Sequence, residues 1–247
     1  MAELLLVIDR ISKRFGSRLA VDDLSLQVEA GEIYGLIGPN GSGKTTTVKL
    51  VAGLYRPGAG RILIHGIDLA TAPEAAKRHI GYVPDEPFVY EKMSGREFLH
   101  LVGELYGVPQ SERNRKIEEL LALYPIQAVL DQYVESYSRG GRQKLAIMAS
   151  LLHAPRLLIV DEPIVGLDPE SAIQTRELLK RFASTGGAAL VSTHTLSFAE
   201  AVCHRVGLLR NGRLIQGGTL GHLRHLAGLP DASLEALYLH FTNSHPR

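Results

Sequence analysis

Apolar and polar positions follow two rhythms along this chain. Leu4 to Ile8 is a short apolar run between Glu3 and Asp9-Arg10, and it predicts a strand. From Leu24 to Val28 apolar and polar residues alternate, and after Glu29-Ala30-Gly31-Glu32 a second run, Ile33 to Ile37, ends in glycine-rich sequence. These predict two strands joined by a tight turn. Helical spacing follows at Val48, Val51 and Ala52, until Pro57-Gly58-Ala59-Gly60 marks a turn and Arg61 to His65 predicts another strand. The N-terminal third thus reads as strand-rich with one helix.

Between Pro87 and Ala154 the rhythm is helical, as in Phe98, Leu101, Val102 and Leu105, then Ile117, Leu120, Leu121 and Tyr124, with Gly107-Val108-Pro109 and Pro125 as breaks. Buried-strand runs return at Leu157 to Val160 and Ala188 to Ser192, separated by a helix from about Pro169 to Phe182. That alternation belongs to a parallel sheet covered by helices. After Arg205 a hairpin is predicted, with Val206 to Leu209, the turn Asn211-Gly212, and Arg213 to Ile215. A polar, His-rich tail carries Leu234, Leu237, Tyr238 and Phe241 at helical spacing, which predicts a small docking helix. The chain reads as one α/β domain over 1–247, with a core of 1–86 and 155–219, a helical subdomain of 87–154 and a tail of 220–247.

Composition narrows the classes. With 247 residues, 45% of them apolar, the chain can bury one sizeable core. The net charge is +1, and the basic cluster from Arg113 to Lys116 is broken by Glu118 and Glu119, so no strip of positive charge marks a nucleic-acid groove and no nucleic acid is expected as partner. The single cysteine, Cys203, lies beside apolar residues and reads as packing in a reducing compartment, with cytosol the expected location. No run approaches the roughly 20 apolar residues that a spanning helix needs, so membrane contact would come through a partner.

Against that background one octet stands out. Gly38-Pro39-Asn40-Gly41-Ser42-Gly43-Lys44-Thr45 follows a buried-strand run and precedes helical sequence, the setting in which glycines let backbone N–H groups converge on phosphate oxygens. The helix starting near Lys44 aims its positive end at them, Lys44 can reach the β- and γ-phosphates, and Thr45 is left to hold Mg²⁺. With Thr46, these residues are the expected contacts of a nucleoside triphosphate. Leu157-Leu158-Ile159-Val160-Asp161-Glu162 is a strand run ending in two carboxylates. Alone, such a pair is more often a solvated strand edge. Beside a phosphate loop it places Asp161 on the metal side and makes Glu162 the candidate general base for the attacking water.

Taken in order, these motifs resemble the nucleotide-binding subunit of ATP-binding-cassette (ABC) transporters, over nearly the whole chain from about Ile8 to Gly218. Tyr137-Ser138-Arg139-Gly140-Gly141-Arg142-Gln143 stands where that family has its L-S-G-G-Q signature, Pro163 to Pro169 resembles the D-loop with Asp168, and Val191-Ser192-Thr193-His194 resembles the switch-histidine strand. Phe15 matches the aromatic residue that stacks on adenine. The resemblance implies a phosphate-loop NTPase core with a mainly parallel sheet, an N-terminal antiparallel β subdomain and the inserted helices. It implies ATP and Mg²⁺ as cofactors, hydrolysis to ADP and phosphate, and two cassettes closing head to tail on two ATP molecules. Ser138, Gly140 and Gly141, near a helix start at Gly141, would then meet the γ-phosphate held by the opposite chain, while His194 would hold the γ-phosphate and the water near Glu162.

Two positions depart from the family pattern. Asp85 stands where most members have glutamine, and its carboxylate can approach Mg²⁺ or a metal-bound water, so it joins Thr45 and Asp161 as a candidate metal ligand. Arg139 replaces the first signature glycine and Gly141 the glutamine. Two readings stay open for Arg139, assistance to the γ-phosphate and obstruction of close approach. The segment from Pro87 to Phe98 is similar to the start of the helical subdomain in bacterial exporter-type cassettes, which makes Phe88 and Tyr90 candidates for contact with a membrane subunit; burial in the core of the insert is the competing reading. The implied partners are transmembrane subunits and a second ABC subunit, identical or different, with the chain peripheral on the cytoplasmic face and transport outward. The alternatives are a soluble ABC ATPase acting on ribosomes or nucleic acid, which usually has two cassettes or a long coiled-coil insert, and a nucleotide-regulated clamp with low turnover.

Overall fold

A computed structural model describes residues 3–243. The chain opens with β1 (Leu4–Phe15), β2 (Arg18–Glu29), β3 (Ile33–Ile37) and α1 (Lys44–Val51), then β4 (Ala59–Ile64), β5 (Ile67–Asp68), α2 (Pro73–Lys77) and β6 (Ile80–Val83). The helical stretch follows as α3 (Gly95–Leu105), α4 (Gln110–Leu121), α5 (Gln127–Leu130) and α6 (Arg139–Leu151). Next come β7 (Leu157–Asp161), α7 (Pro169–Ser184), β8 (Ala188–Thr193), α8 (Leu196–Val202), β9 (Arg205–Arg210) and β10 (Arg213–Gly218), and α9 (Leu220–Ala227) and α10 (Leu234–Asn243) complete the order.

Two sheets result. One is antiparallel in the order β2-β1-β4-β5, and the other runs β10-β9-β3-β8-β7-β6 with every neighbouring pair parallel except β10 on β9. The strands on either side of Gly31 do not pair with each other. The turn moves the chain from the first sheet into the second, with Gly31 at φ +81° and its N–H donating to the Gly187 carbonyl at 2.9 Å. The first two strands are also longer than alternation suggests, because register shifts keep β1 and β2 paired where the pattern lapses.

The larger sheet separates two apolar clusters. Tyr34, Leu36, Val48, Leu50, Ile159 and Leu190 pack toward α1 and the antiparallel sheet. Val83, Val160, Val191 and Leu158 face the other way and share one cluster with Phe98, Leu121, Tyr124, Leu145 and Met148 of the helical stretch. The Ser94 side chain accepts from the Glu97 N–H while Glu97 accepts from the Ser94 N–H, a reciprocal cap that fixes where α3 begins. The signature helix α6 starts at Arg139, two residues before the expected Gly141, because Ser138 is its N-cap and accepts from the Gly141 N–H at 3.1 Å.

The hairpin at Asn211-Gly212 has φ of +50° and +81° at those residues, the conformation that suits a two-residue turn. Among the described residues the tail holds two helices rather than one. Leu223 of α9 and Leu234, Leu237 and Phe241 of α10 join Ile37 and Leu208 in a third cluster. Among the described residues no helix is long and apolar enough to cross a membrane.

Candidate functional site

Sheet register gathers the chemistry. Ile37 pairs with Thr193, Asp161 with Ser192, and Val83 with Val160. The carboxyl ends of β3, β8, β7 and β6 therefore lie side by side, and the residues that follow them, Gly38, His194, Glu162 and Asp85, reach one edge of the sheet. In open parallel sheets that edge is where ligands bind.

The loop from Gly38 to Gly43 is held by close approaches that leave no room for side chains. A Cβ on Gly38 would lie 2.4 Å from the Leu209 carbonyl oxygen, and one on Gly43, at φ +109°, 2.5 Å from that of Ala20. Lys44 is 5% exposed and its Nζ donates to the Gly38 and Pro39 carbonyls at 2.7 and 3.3 Å. Burial pulls Lys44 below the ordinary lysine range, with the carboxylates of Glu162 and Asp161 opposing it. Ser42 Oγ is buried with no hydrogen-bond partner among the described residues. A cleft of about 390 Å³ lies over the loop and is lined by Phe15, Asn40, Lys44, Thr45, Thr46, Asp85 and Glu162 among others.

The two carboxylates are held differently. Asp161 is 1% exposed and accepts from the Ser192 hydroxyl. Burial raises its carboxyl above the usual range, and the hydrogen bonds from Ser192 and Thr45 oppose that shift. Glu162 takes up a left-handed backbone at φ +51°, uncommon for a residue with a side chain, and its N–H donates to the Ser192 carbonyl at 2.9 Å. That backbone turns its carboxylate toward β8, where Oε2 accepts from the Thr193 hydroxyl at 3.1 Å and Oε1 lies 2.8 Å from His194 Nδ1. Lys44 Nζ stands 3.9 Å from the same Oε1.

Other expected residues fall elsewhere. Phe15 is half-exposed at the end of β1 and packs edge-on against Tyr55 with centroids 5.4 Å apart, at one side of the cleft. Ser138, Gly140, Gly141 and Asp168 do not line the cleft. Asp168 caps α7, its carboxylate accepting from the Ser171 hydroxyl and N–H, and these bonds hold it below the usual carboxylate range. Phe88 and Tyr90 are 76% and 50% exposed, so they do not pack in the core of the insert. Cys203 packs against Gly35, and burial pushes its thiol up to about 12, in keeping with a packing role. Sequence reasoning missed Arg18, whose Nη2 donates to the Gly41 carbonyl at 2.9 Å, and Thr193, whose only signal was its place before His194.

Comparisons with known proteins point to one family. The ABC transporter family model matches residues 21–165. EcsA, an ABC-type transporter ATP-binding protein of Bacillus subtilis (strain 168), is 36% identical over 220 residues, spanning 89% of this chain and 89% of that protein. The daunorubicin/doxorubicin resistance ATP-binding protein DrrA of Streptomyces peucetius is 34% identical over 216 residues, 87% of this chain and 66% of that protein. Among solved structures, an ATP-binding subunit of an ABC transporter superposes with a TM-score of 0.92 at 36% identity, covering 96% of this chain and 99% of that one. A dimeric ATP-binding cassette in a post-hydrolysis state with ADP and Pi shares the fold at a TM-score of 0.80 and 22% identity, covering 87% and 98%. Phosphate loop, acidic strand end and histidine strand thus meet at one sheet edge in a chain with near-full-length relatives, and the chain belongs to the ABC transporter family as an ATP-binding subunit.

Proposed function

We propose that this chain hydrolyses ATP with Mg²⁺ as one half of a head-to-tail pair of cassettes, and that closure of the pair drives a membrane-spanning partner in export. The observation that carries the reading is the convergence of Lys44, Thr45, Asp161, Glu162 and His194 at one edge of the sheet, with Ser138, the N-cap of α6, outside the lining of the cleft. Lys44 would exchange its loop carbonyls for the β- and γ-phosphates, and the N–H groups at the start of α1 would take the remaining oxygens. Glu162, fixed by Thr193 and His194, would accept the proton of the attacking water on its carboxylate, and His194 would keep water and γ-phosphate in place. Thr45, Asp161 and Asp85 offer hard oxygen donors of the kind Mg²⁺ prefers. Among the described residues no group of three or more His, Cys, Asp or Glu gathers into a metal site, so the ion would complete its shell with nucleotide oxygens and water. Bound there, it would neutralise charge developing on the phosphates.

Ser138, Gly140, Gly141 and Asp168 are not part of the lining of this chain's own cleft, which supports their service to nucleotide held by a second cassette. ATP then joins two chains, and loss of the γ-phosphate releases them through differential affinity for the closed and open states. The exposed pair Phe88 and Tyr90, with ring centroids 5.5 Å apart, is the candidate surface for the membrane subunit and would place the chain peripherally on the cytoplasmic face. One relative is named for daunorubicin and doxorubicin resistance, which favours the export direction.

Glu162→Gln is the test. ATP binding is expected to stay within about threefold of the parent while phosphate release falls by about 100-fold or more, and light scattering with ATP should report a dimer. Hydrolysis near the parent rate would remove Glu162 from the base role. Purification from detergent-solubilised membranes of the host should bring a multi-span protein along in stoichiometric amount, and recovery with ribosomes instead would overturn the transport reading.

A further inference from the structure

Asp85 and Arg139, the two departures from the family pattern, lie 54 residues apart in sequence and meet in space, with Arg139 Nη2 3.5 Å from Asp85 Oδ1. Asp85 sits two residues past β6 on the rim of the cleft that also holds Lys44, Thr45 and Glu162. Arg139 is the first residue of α6, and its side chain lies against Gly166 in the loop that follows Glu162. A Cβ on Gly166, at φ +77°, would come within 2.7 Å of Arg139 Cδ and 2.9 Å of Nε. One guanidinium therefore joins three segments: the start of the signature helix, the rim of the cleft and the loop leading to α7.

We propose that Arg139 is a positioning residue that neutralises and holds Asp85 within the same chain, tying the start of the signature helix to the metal-side rim of the nucleotide cleft. The inference rests on the reading of that cleft as the MgATP site. Glutamine at position 85 would be uncharged and would need no such partner. An aspartate there brings a carboxylate to the side of the cleft that would hold a triphosphate, and a neighbouring guanidinium would offset part of that charge alongside any Mg²⁺ it approaches. The pair is about half-exposed on both sides, so its effect is small and weakens with salt. The same geometry assigns Arg139 a partner in its own chain ahead of any contact across a dimer.

A double-mutant cycle on the full chain decides the matter, read as the Kd for MgATP at low salt and at a dilution where light scattering reports single chains. Arg139→Met is expected to weaken binding about threefold, because Asp85 is left uncompensated. In the Asp85→Asn background, whatever that change itself costs in Mg²⁺ affinity, Arg139→Met should no longer weaken binding; Arg139→Lys should recover part of the loss in the parent background, and the Arg139→Met defect should shrink at high salt. An Arg139→Met defect of the same size in the Asp85→Asn background would overturn the inference by placing the guanidinium's partner elsewhere, as would an unchanged Arg139→Met or a defect confined to the dimer. Thermal unfolding checks that each variant folds. Failure of the parent itself to bind MgATP would instead remove the proposed function.

Discussion

At the residue scale the site is a set of side chains aimed by their neighbours. Glu162 is held by the Thr193 hydroxyl, by His194 Nδ1 and by its own left-handed backbone. Thr193 in turn accepts from the Thr195 N–H at 3.0 Å, so its hydroxyl proton is directed at the carboxylate. Thr193→Val removes that donor and keeps the shape. The expected outcome is a kcat for ATP hydrolysis about tenfold lower with KM changed by less than about twofold, and recovery with Thr193→Ser. Steady-state kinetics check it, and an unchanged kcat would mean that His194 and the backbone orient Glu162 without the hydroxyl.

At the element scale the helical stretch is pinned to the larger sheet where α6 ends. His153 stacks on Tyr106 with centroids 3.7 Å apart and planes 10° off parallel, and its Nε2 lies 2.9 Å from the Ile80 carbonyl of β6. Burial holds His153 below the ordinary imidazole range, and the Ile80 carbonyl opposes that shift. The folded state thus binds this proton less readily than the unfolded chain, whose histidines titrate near about 6.5. The stability this implies is fully present above that pH and is lost as pH falls through the lower folded value. His153→Gln cannot titrate. It should unfold at a lower temperature than the parent at pH 7.5, with the gap closing toward pH 5, and parallel melting curves across that range would sink the prediction.

At the scale of the whole molecule the tail braces the active edge from behind. Leu237 is fully buried in the cluster that contains Ile37, the residue before the phosphate loop. Leu237→Ala leaves a cavity there and should cost about 2–5 kcal/mol, lowering the melting temperature by about 5 °C or more. A shift under about 1 °C in calorimetry would show that α10 contributes nothing to the fold's stability. The same clusters explain why the helical stretch sits as it does. Its apolar face is shared with Val83, Val160 and Val191, so the helices that carry the signature start are packed directly on β7, which ends in Asp161, and on β6, which Asp85 follows by two residues.

Much of this was legible before the fold was seen. The phosphate loop could be read because glycine spacing, lysine and hydroxyl act within eight consecutive residues, and the Asn211-Gly212 turn because two adjacent positive φ values select those residue types. Asp161 and Glu162 were readable as a strand end, yet not the backbone turn that sends one inward and the other toward His194. The separation of β2 from β3 into different sheets, the helix α9 hidden in polar sequence, and the meeting of Asp85 with Arg139 were settled by packing between segments far apart in the chain. Local backbone chemistry is written in a few neighbouring residues, which is why the loop, the strand ends and the turn can be read from the chain alone. Which strand ends become neighbours depends on how two apolar faces of one sheet are covered, and that follows from contacts between segments far apart in the chain.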